Sequence, residues 1–238
     1  MRLDKYLVDE GYFESRNRAL EAIKAGEVKL NGKKAKPSMQ ITTKSIVEVE
    51  KKKFYVSRAG RKLEHFLAHY SLDFKDKNVL DIGSSTGGFS QIILEQGASR
   101  ITCVDVGTDQ LHTLLREDKR VAIFENSDIR DFQSEEVFEL ITCDVSFISI
   151  LQITEAINRL ATIDTSIVIL YKPQFEVGKE CKRDSKGVVI DKDRIARKKE
   201  GFEEEMKQLG WKESYQVESG ITGKNGNQEY FYHFIKMK

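Results

Sequence analysis

The stretch Val79-Leu80-Asp81-Ile82-Gly83-Ser84-Ser85-Thr86-Gly87-Gly88-Phe89 constrains this chain most, because an apolar strand ending in an acid runs straight into a glycine turn that opens a helix. Glycine at 83 and 87 lets the backbone take positive φ and approach a ligand, while the next helix offers free N–H groups. The spacing then selects among cofactors. A dinucleotide fingerprint sets its first glycines two apart, and a P-loop ends in Gly-Lys-Ser/Thr. Here the glycines are four apart and no lysine follows. An acid at 81 repels phosphate but suits an ammonium group, directly or through a water. The pattern points to a cationic amino-acid cofactor of the S-adenosylmethionine type. A second strand, Arg100 to Val106, ends in Asp105 about twenty residues on, where a ribose diol is gripped in folds of this kind.

From Ser57 onward apolar runs at 79–82, 101–106, 121–124, 139–144, 166–171, 215–219 and 229–236 alternate with helical patterns. Such alternation predicts an α/β fold with a parallel, doubly wound sheet. Ligands of such sheets lie outside the carboxyl ends of the strands, and Asp81, Asp105, Asp128, Asp144 and Lys172 all fall there. An amine desolvated in a cleft and crowded by another cation gives up its proton more readily, so Lys172, just before Pro173, is a candidate base. Lys62 is the candidate second cation, and Glu229, opening the last strand, a candidate counter-charge.

Overall the chain of 238 residues carries a net charge of only +1, but it is asymmetric. Residues 1–62 hold 16 Lys and Arg against 8 Asp and Glu, a net of +8, which leaves −7 for the remainder. A basic front on an acidic back suggests a nucleic-acid-binding domain joined to one with another task. In the front segment Leu3, Tyr6 and Leu7 fall at helical spacing, Ser15 caps a second helix through Ala25, and Gly26 stops it. A hairpin follows: Val28 to Leu30, an Asn31-Gly32 turn, and a return from Lys33 to Lys36. Ile46 to Val49 closes the sheet. Arg2, Arg16, Arg18, Lys29, Lys33, Lys34 and Lys36, with Arg61 further on, are the candidate nucleic-acid contacts, suited more to phosphates than to base edges, and the family resemblance given below implies that the nucleic acid is RNA.

No apolar run approaches the roughly 18 residues of a membrane span, and the acids Asp4, Asp9 and Glu10 exclude a signal peptide, so a cytoplasmic protein is expected. Three cysteines, Cys103, Cys143 and Cys181, and four histidines show neither disulfide nor metal spacing, so no metal is expected.

The order Arg-Leu-Asp-Lys-Tyr-Leu, Ser-Arg-Asn-Arg-Ala and Gly-x-Val-x-Leu-Asn-Gly resembles the S4-type RNA-binding domain. Lys62, Asp144, Lys172 and Glu229, interleaved with the glycine loop, resemble the Lys-Asp-Lys-Glu tetrad of FtsJ-like ribose methyltransferases. With Lys-Pro-Gln-Phe-Glu after Tyr171 and Gly-x-x-Gly-Asn-x-Glu-Tyr-Phe near the end, the whole chain resembles the TlyA family, also labelled haemolysins. The resemblance implies an S4-like domain over 1–52, a linker over 53–56 and a Rossmann-like methyltransferase domain over 57–238. It implies methylation of a cytidine ribose 2′-hydroxyl in ribosomal RNA with S-adenosylmethionine. Asp81 and Gly83 through Phe89 would form the methionine-side loop, Asp105 would hold the ribose, Val106 would pack on adenine and Asp128 would accept from its amino group. Lys62, Asp144, Lys172 and Glu229 would surround the hydroxyl, and the loop Phe175 to Ile190 would close over RNA. The abrupt start at Met1-Arg2-Leu3 matches the short family type, which implies the large subunit; a monomer is expected. The rival readings are a ribosome assembly factor with an inert methyltransferase fold, a membrane-active haemolysin, and an NAD enzyme.

Overall fold

A computed structural model describes residues 1–13, 15–50 and 53–238; Lys51 and Lys52, at the end of the expected front domain, lie outside them. The chain divides into two units, Met1–Phe54 and Tyr55–Lys238.

In the first unit, helices α1 (Leu3–Asp9) and α2 (Arg16–Ala25) share a core with a three-stranded sheet of order β2-β1-β3. Ser15 caps α2, its hydroxyl accepting from the Arg18 N–H, and Gly26 ends the helix at φ 79°, where a side chain is disfavoured. Strands β1 (Val28–Leu30) and β2 (Lys33–Lys34) turn at Asn31-Gly32, both at positive φ as a type I′ turn demands. Regular pairing stops at Lys34, two residues earlier than expected, although the Ala35 N–H still donates to the Val28 carbonyl at 3.1 Å and its side chain is buried in the core. Strand β3 (Val47–Val49) lines the other side of β1. Leu3, Leu7, Ala19, Ile23 and Val28 bury the helices' apolar stripe, each large aliphatic side chain contributing about 1.5–3 kcal/mol.

The second unit is a seven-stranded sheet of β4 (Asn78–Ile82), β5 (Arg100–Val104), β6 (Val121–Phe124), β7 (Phe138–Cys143), β8 (Ala161–Tyr171), β9 (Trp211–Glu218) and β10 (Tyr230–Lys236). Its order is β6-β5-β4-β7-β8-β10-β9. Successive residues of β4 point to opposite faces. Val79 packs with α3 (Arg58–His69) and α4 (Gly88–Glu95), while Leu80 packs with α6 (Thr154–Leu160) and α8 (Lys192–Gln208). Both faces are thus covered, as double winding requires. Two short helices, α5 (Thr113–Arg116) and α7 (Pro173–Glu176), follow β5 and β8.

The expectation of a parallel sheet fails at one strand: β10 runs antiparallel to both β8 and β9. A parallel neighbour needs a crossover of a dozen residues or more, usually helical. The segment 219–229 instead holds Gly220, Gly223, Gly226 and Asn227 and reverses the chain. The reversal puts Tyr230 opposite Tyr171, so the start of β10 lies at the carboxyl end of β8.

Tyr55 and Val56, inside the stretch expected as a linker, pack on the core of the second unit. The Val56 N–H donates to Gln91 Oε1 at 2.9 Å, and the Tyr55 hydroxyl to Glu64.

Candidate active site

Asp144 follows β7 and Lys172 follows β8, so parallel neighbours deliver a carboxylate and an amine to the same rim. Lys172 Nζ lies 2.6 Å from Asp144 Oδ1 as an ion pair without hydrogen-bond alignment, and donates to Ser146 Oγ at 2.8 Å. Pro173 opens α7, where a missing N–H costs nothing, and so turns the chain away directly after the lysine. The reversed strand β10 supplies Glu229 to this rim. Lys62, from the second turn of α3, meets it with Nζ 2.5 Å from Oε2, and Gln174 Nε2 donates to Oε1 at 3.0 Å. Lys62 and Lys172 are each 8 % exposed and Glu229 only 2 %. Buried charges persist where they are paired, and here each lysine has its own carboxylate. The expected crowding of one cation by another is therefore replaced by two ion pairs.

Lys62, Ser146, Phe147, Lys172, Gln174 and Glu229 line a cleft of about 600 Å³, with Lys179, Arg183 and Lys224 also in its wall. Phe147 is 92 % exposed at φ 66° and touches Phe175, with ring centroids 5.2 Å apart. An exposed aromatic ring on a basic cleft wall is a ready stacking surface for a base. The loop expected to close over RNA is a built element: Val177, Cys181 and Val189 form a small apolar cluster with Ile195, and Asn227 Oδ1 accepts from the Val189 N–H. Glu176 ties α7 to the segment after β7, accepting from the Ser149 hydroxyl at 2.5 Å and the Ile150 N–H at 2.9 Å.

The glycine loop abuts the backbone of Asp144. Gly83, at φ 74°, lies so close to Asp144 that a Cβ there would sit 2.9 Å from the Asp144 carbonyl oxygen. Ser85, Gly83 and Thr86 keep exposed surface, whereas Gly87, Gly88 and Phe89 are buried, Phe89 stacking near Phe231 in the core. Asp105 holds the loop to its neighbour, its two oxygens accepting from Ser85 N–H at 2.8 Å and Gly107 N–H at 2.7 Å. Val106 is 68 % exposed beside it. Asp128 is engaged in a fork with Arg130, which holds its carboxyl down at about 2.

Asp81 departs from its expected place on the rim. It lies inside β4, without exposed surface, accepting from the Ser90 hydroxyl at 2.5 Å and from Thr142 at 2.8 Å. Burial pushes its carboxyl up to about 7, against those two hydrogen bonds. In this arrangement Ser90 and Thr142 hold its carboxyl beneath the loop. The remaining residues fit the expected cofactor: the open part of the loop carries no lysine, its nearby charges are acidic, and Val106 offers an apolar face. Among the described residues no three His, Cys, Asp or Glu side chains gather as a metal site.

Sequence reading missed Ser146, Phe147 and Gln174. Gln174 stood within the Lys-Pro-Gln-Phe-Glu run, but nothing local says that a glutamine will face a glutamate 55 residues away.

Of the candidate RNA contacts in the first unit, Lys29, Lys33, Lys34 and Lys36 are exposed. Lys29 and Lys34 lie directly opposite each other across the hairpin, a like-charge pair that destabilises a sheet unless a polyanion covers it. Arg18 lies over the Phe54 ring at 5.6 Å and near Glu21, whereas Arg2 and Arg16 converge on Asp4. Arg61 is exposed on α3.

Residues 55–236 match the FtsJ-like methyltransferase family and residues 1–47 the S4 domain. The chain is 46 % identical to the Campylobacter jejuni 23S rRNA (cytidine-2′-O)-methyltransferase TlyA, covering 99 % of this chain and 100 % of that one. It is 36 % identical to the Mycobacterium tuberculosis 16S/23S rRNA (cytidine-2′-O)-methyltransferase TlyA, over 97 % and 88 %. A solved Streptococcus thermophilus structure described as a hemolysin superposes with a TM-score of 0.73 at 34 % identity, over 100 % of this chain and 89 % of that one. No helix among the described residues is long and apolar enough to cross a membrane.

Proposed function

The chain belongs to the TlyA family of FtsJ-like methyltransferases with an S4 domain, and from that premise we propose that it methylates the ribose 2′-hydroxyl of a cytidine in large-subunit ribosomal RNA. The observation that carries this reading is the meeting of two lysine–carboxylate pairs at one cleft, with the backbone of Asp144 directly against Gly83 of the glycine loop. The higher identity and full coverage of the relative named for 23S rRNA support the large subunit over both subunits. Ribosomal RNA as acceptor also favours the cytoplasm.

A ribose hydroxyl is a poor nucleophile while protonated, so the site must take its proton as the new bond forms. Lys172 first gives up its own proton to solvent; the neutral Nζ then receives the hydroxyl proton, and Asp144, 2.6 Å away, holds the ammonium that results. Ser146 fixes the direction of Nζ. Lys62, anchored by Glu229, places a second positive charge beside the developing alkoxide, and Gln174 fixes Glu229. Phe147 stacks on a base, which keeps the ribose in register. The loop 83–86 and the Asp105–Val106 turn would hold S-adenosylmethionine, which would supply a sulfonium methyl group. Holding hydroxyl and methyl in line contributes up to roughly 7–11 kcal/mol in favourable systems.

The test is transfer of tritiated methyl from S-adenosylmethionine to purified small and large subunits lacking the modification, with wild type and Lys172→Ala. Label on the large subunit alone, lost in the variant while cofactor binding persists, is the expected result. Label on both subunits removes the subunit choice; no label on either removes the acceptor.

A further inference from the structure

Asp4 is a carboxylate with no exposed surface in the most basic part of the chain, and two arginines share it. Arg2 grips it with Nε on Oδ1 at 3.0 Å and Nη2 on Oδ2 at 3.0 Å. Arg16 grips Oδ2 alone, with Nε at 2.9 Å and Nη2 at 2.7 Å, and the Lys5 N–H donates to Oδ1 at 3.1 Å. Arg2 and Arg16 come from the N-termini of two different helices: Arg2 precedes α1 and Arg16 opens α2. Their side chains remain 49 % and 57 % exposed, so the guanidiniums are the cover that hides Asp4 from solvent. Each turns the same edge, Nε and Nη2, inward. The Nη1 groups of both have no partner among the described residues.

We propose that Asp4 is a positioning residue that fixes Arg2 and Arg16 side by side as a preformed clamp for one backbone phosphate of folded RNA. The inference rests on the RNA acceptor proposed above. Two free arginines at neighbouring positions repel each other and lose rotamer freedom on binding. One shared carboxylate offsets the repulsion and fixes both side chains beforehand, which leaves outward N–H groups for an anion. Arginine, not lysine, is needed, because only a planar fork can hold a carboxylate with one edge and still present donors on another.

The clamp makes a prediction opposite in sign to net charge. Removing a carboxylate from a basic surface adds positive charge and strengthens RNA binding if charge alone matters. If Asp4 works through Arg2 and Arg16, Asp4→Asn in the full chain weakens binding to purified large-subunit RNA by about tenfold at fixed salt. It also adds nothing further to an Arg2→Gln, Arg16→Gln double variant, whereas a purely structural loss would add. Arg2→Lys with Arg16→Lys guards against a folding defect at position 4, since it keeps the charge and removes the forks; it also weakens binding. Circular dichroism and wild-type resistance of residues 1–54 to limited proteolysis confirm folding of each variant. Asp4→Asn binding as tightly as wild type, or more tightly, overturns the clamp, as does unchanged binding by the double lysine variant. Wild type that fails to bind the RNA sinks the acceptor reading instead.

Discussion

At the residue scale, Glu229 and Asp81 show how far the meaning of an acid depends on what faces it. Glu229 accepts from both Lys62 and Gln174, so Glu229→Gln leaves Lys62 buried beside a neutral amide. Methyl transfer in single turnover is expected to fall at least about 100-fold, with cofactor affinity unchanged; equal loss of cofactor binding would place Glu229 in the wrong site. Asp81 predicts a pH effect. Its folded value of about 7 lies above the unfolded value near 3.9, so it favours folding at low pH and loses that contribution as pH rises from about 4 to 7. His233, buried with Tyr70 against Nδ1, is pulled down to about 4 from roughly 6.5. The unfolded state then binds the extra proton, and stability falls as pH drops through that window. The two slopes oppose each other. Asp81→Asn should therefore gain stability relative to wild type by a few kcal/mol between pH 4.5 and 7, read by urea unfolding, and His233→Gln should lose the acid-side decline. A variant that tracks wild type at every pH removes the corresponding group from the account. The Asp-Ile-Gly run was legible in the sequence, but Asp81's burial was not, because it depends on Ser90 and Thr142 from other elements.

At the element scale, what reads locally was visible and what depends on direction was not. The Ser15 cap, the Gly26 stop and the Asn31-Gly32 turn are chemistry within a few residues, and all three lie where their sequence places them. Apolar periodicity located every strand of the large sheet but carries no direction, so the reversal of β10 went unread although glycines at 220, 223 and 226 mark it. That reversal is what makes Glu229 part of the cleft. The glycines of the loop have a second task that periodicity hides. Gly60 of α3 and Gly88 of α4 touch: a Cβ on Gly88 would lie 2.7 Å from the Gly60 nitrogen and 2.1 Å from Ser57 Oγ, the cap of α3. Gly88→Ala must push the helices apart, at a cost of about 1–3 kcal/mol. A lowered thermal midpoint and weaker cofactor binding should appear together, since α4 follows the loop; an unchanged midpoint would show that the helices yield freely.

At the scale of the whole molecule, the charge division read from the sequence shifts once the chain is cut where the structure cuts it. Residues 1–54 hold 13 Lys and Arg against 8 Asp and Glu, a net of +5 rather than +8, because Arg58, Arg61 and Lys62 belong to the second unit. Lys62 is buried in an ion pair and cannot serve as a general phosphate contact. The second unit, net acidic at −4, nevertheless carries Lys179, Arg183 and Lys224 on its cleft wall. Arg183 is partly structural, its guanidinium donating to the Gln174 and Gly178 carbonyls, which leaves Lys179 and Lys224 as the exposed lysine charges of that wall. On the proposed reading RNA attraction is divided between a basic front and a small basic rim within an acidic body, and the rim lies on the cleft assigned to the reacting ribose. Lys179→Gln with Lys224→Gln should raise the KM for RNA several-fold at about 0.1 M salt and lower the slope of log affinity against log salt by about 2. Because neither side chain touches the lysine–carboxylate pairs, single-turnover transfer at saturating RNA should persist. A loss of transfer at saturation with an unchanged salt slope would mean that these lysines shape the cleft rather than draw in the phosphate backbone.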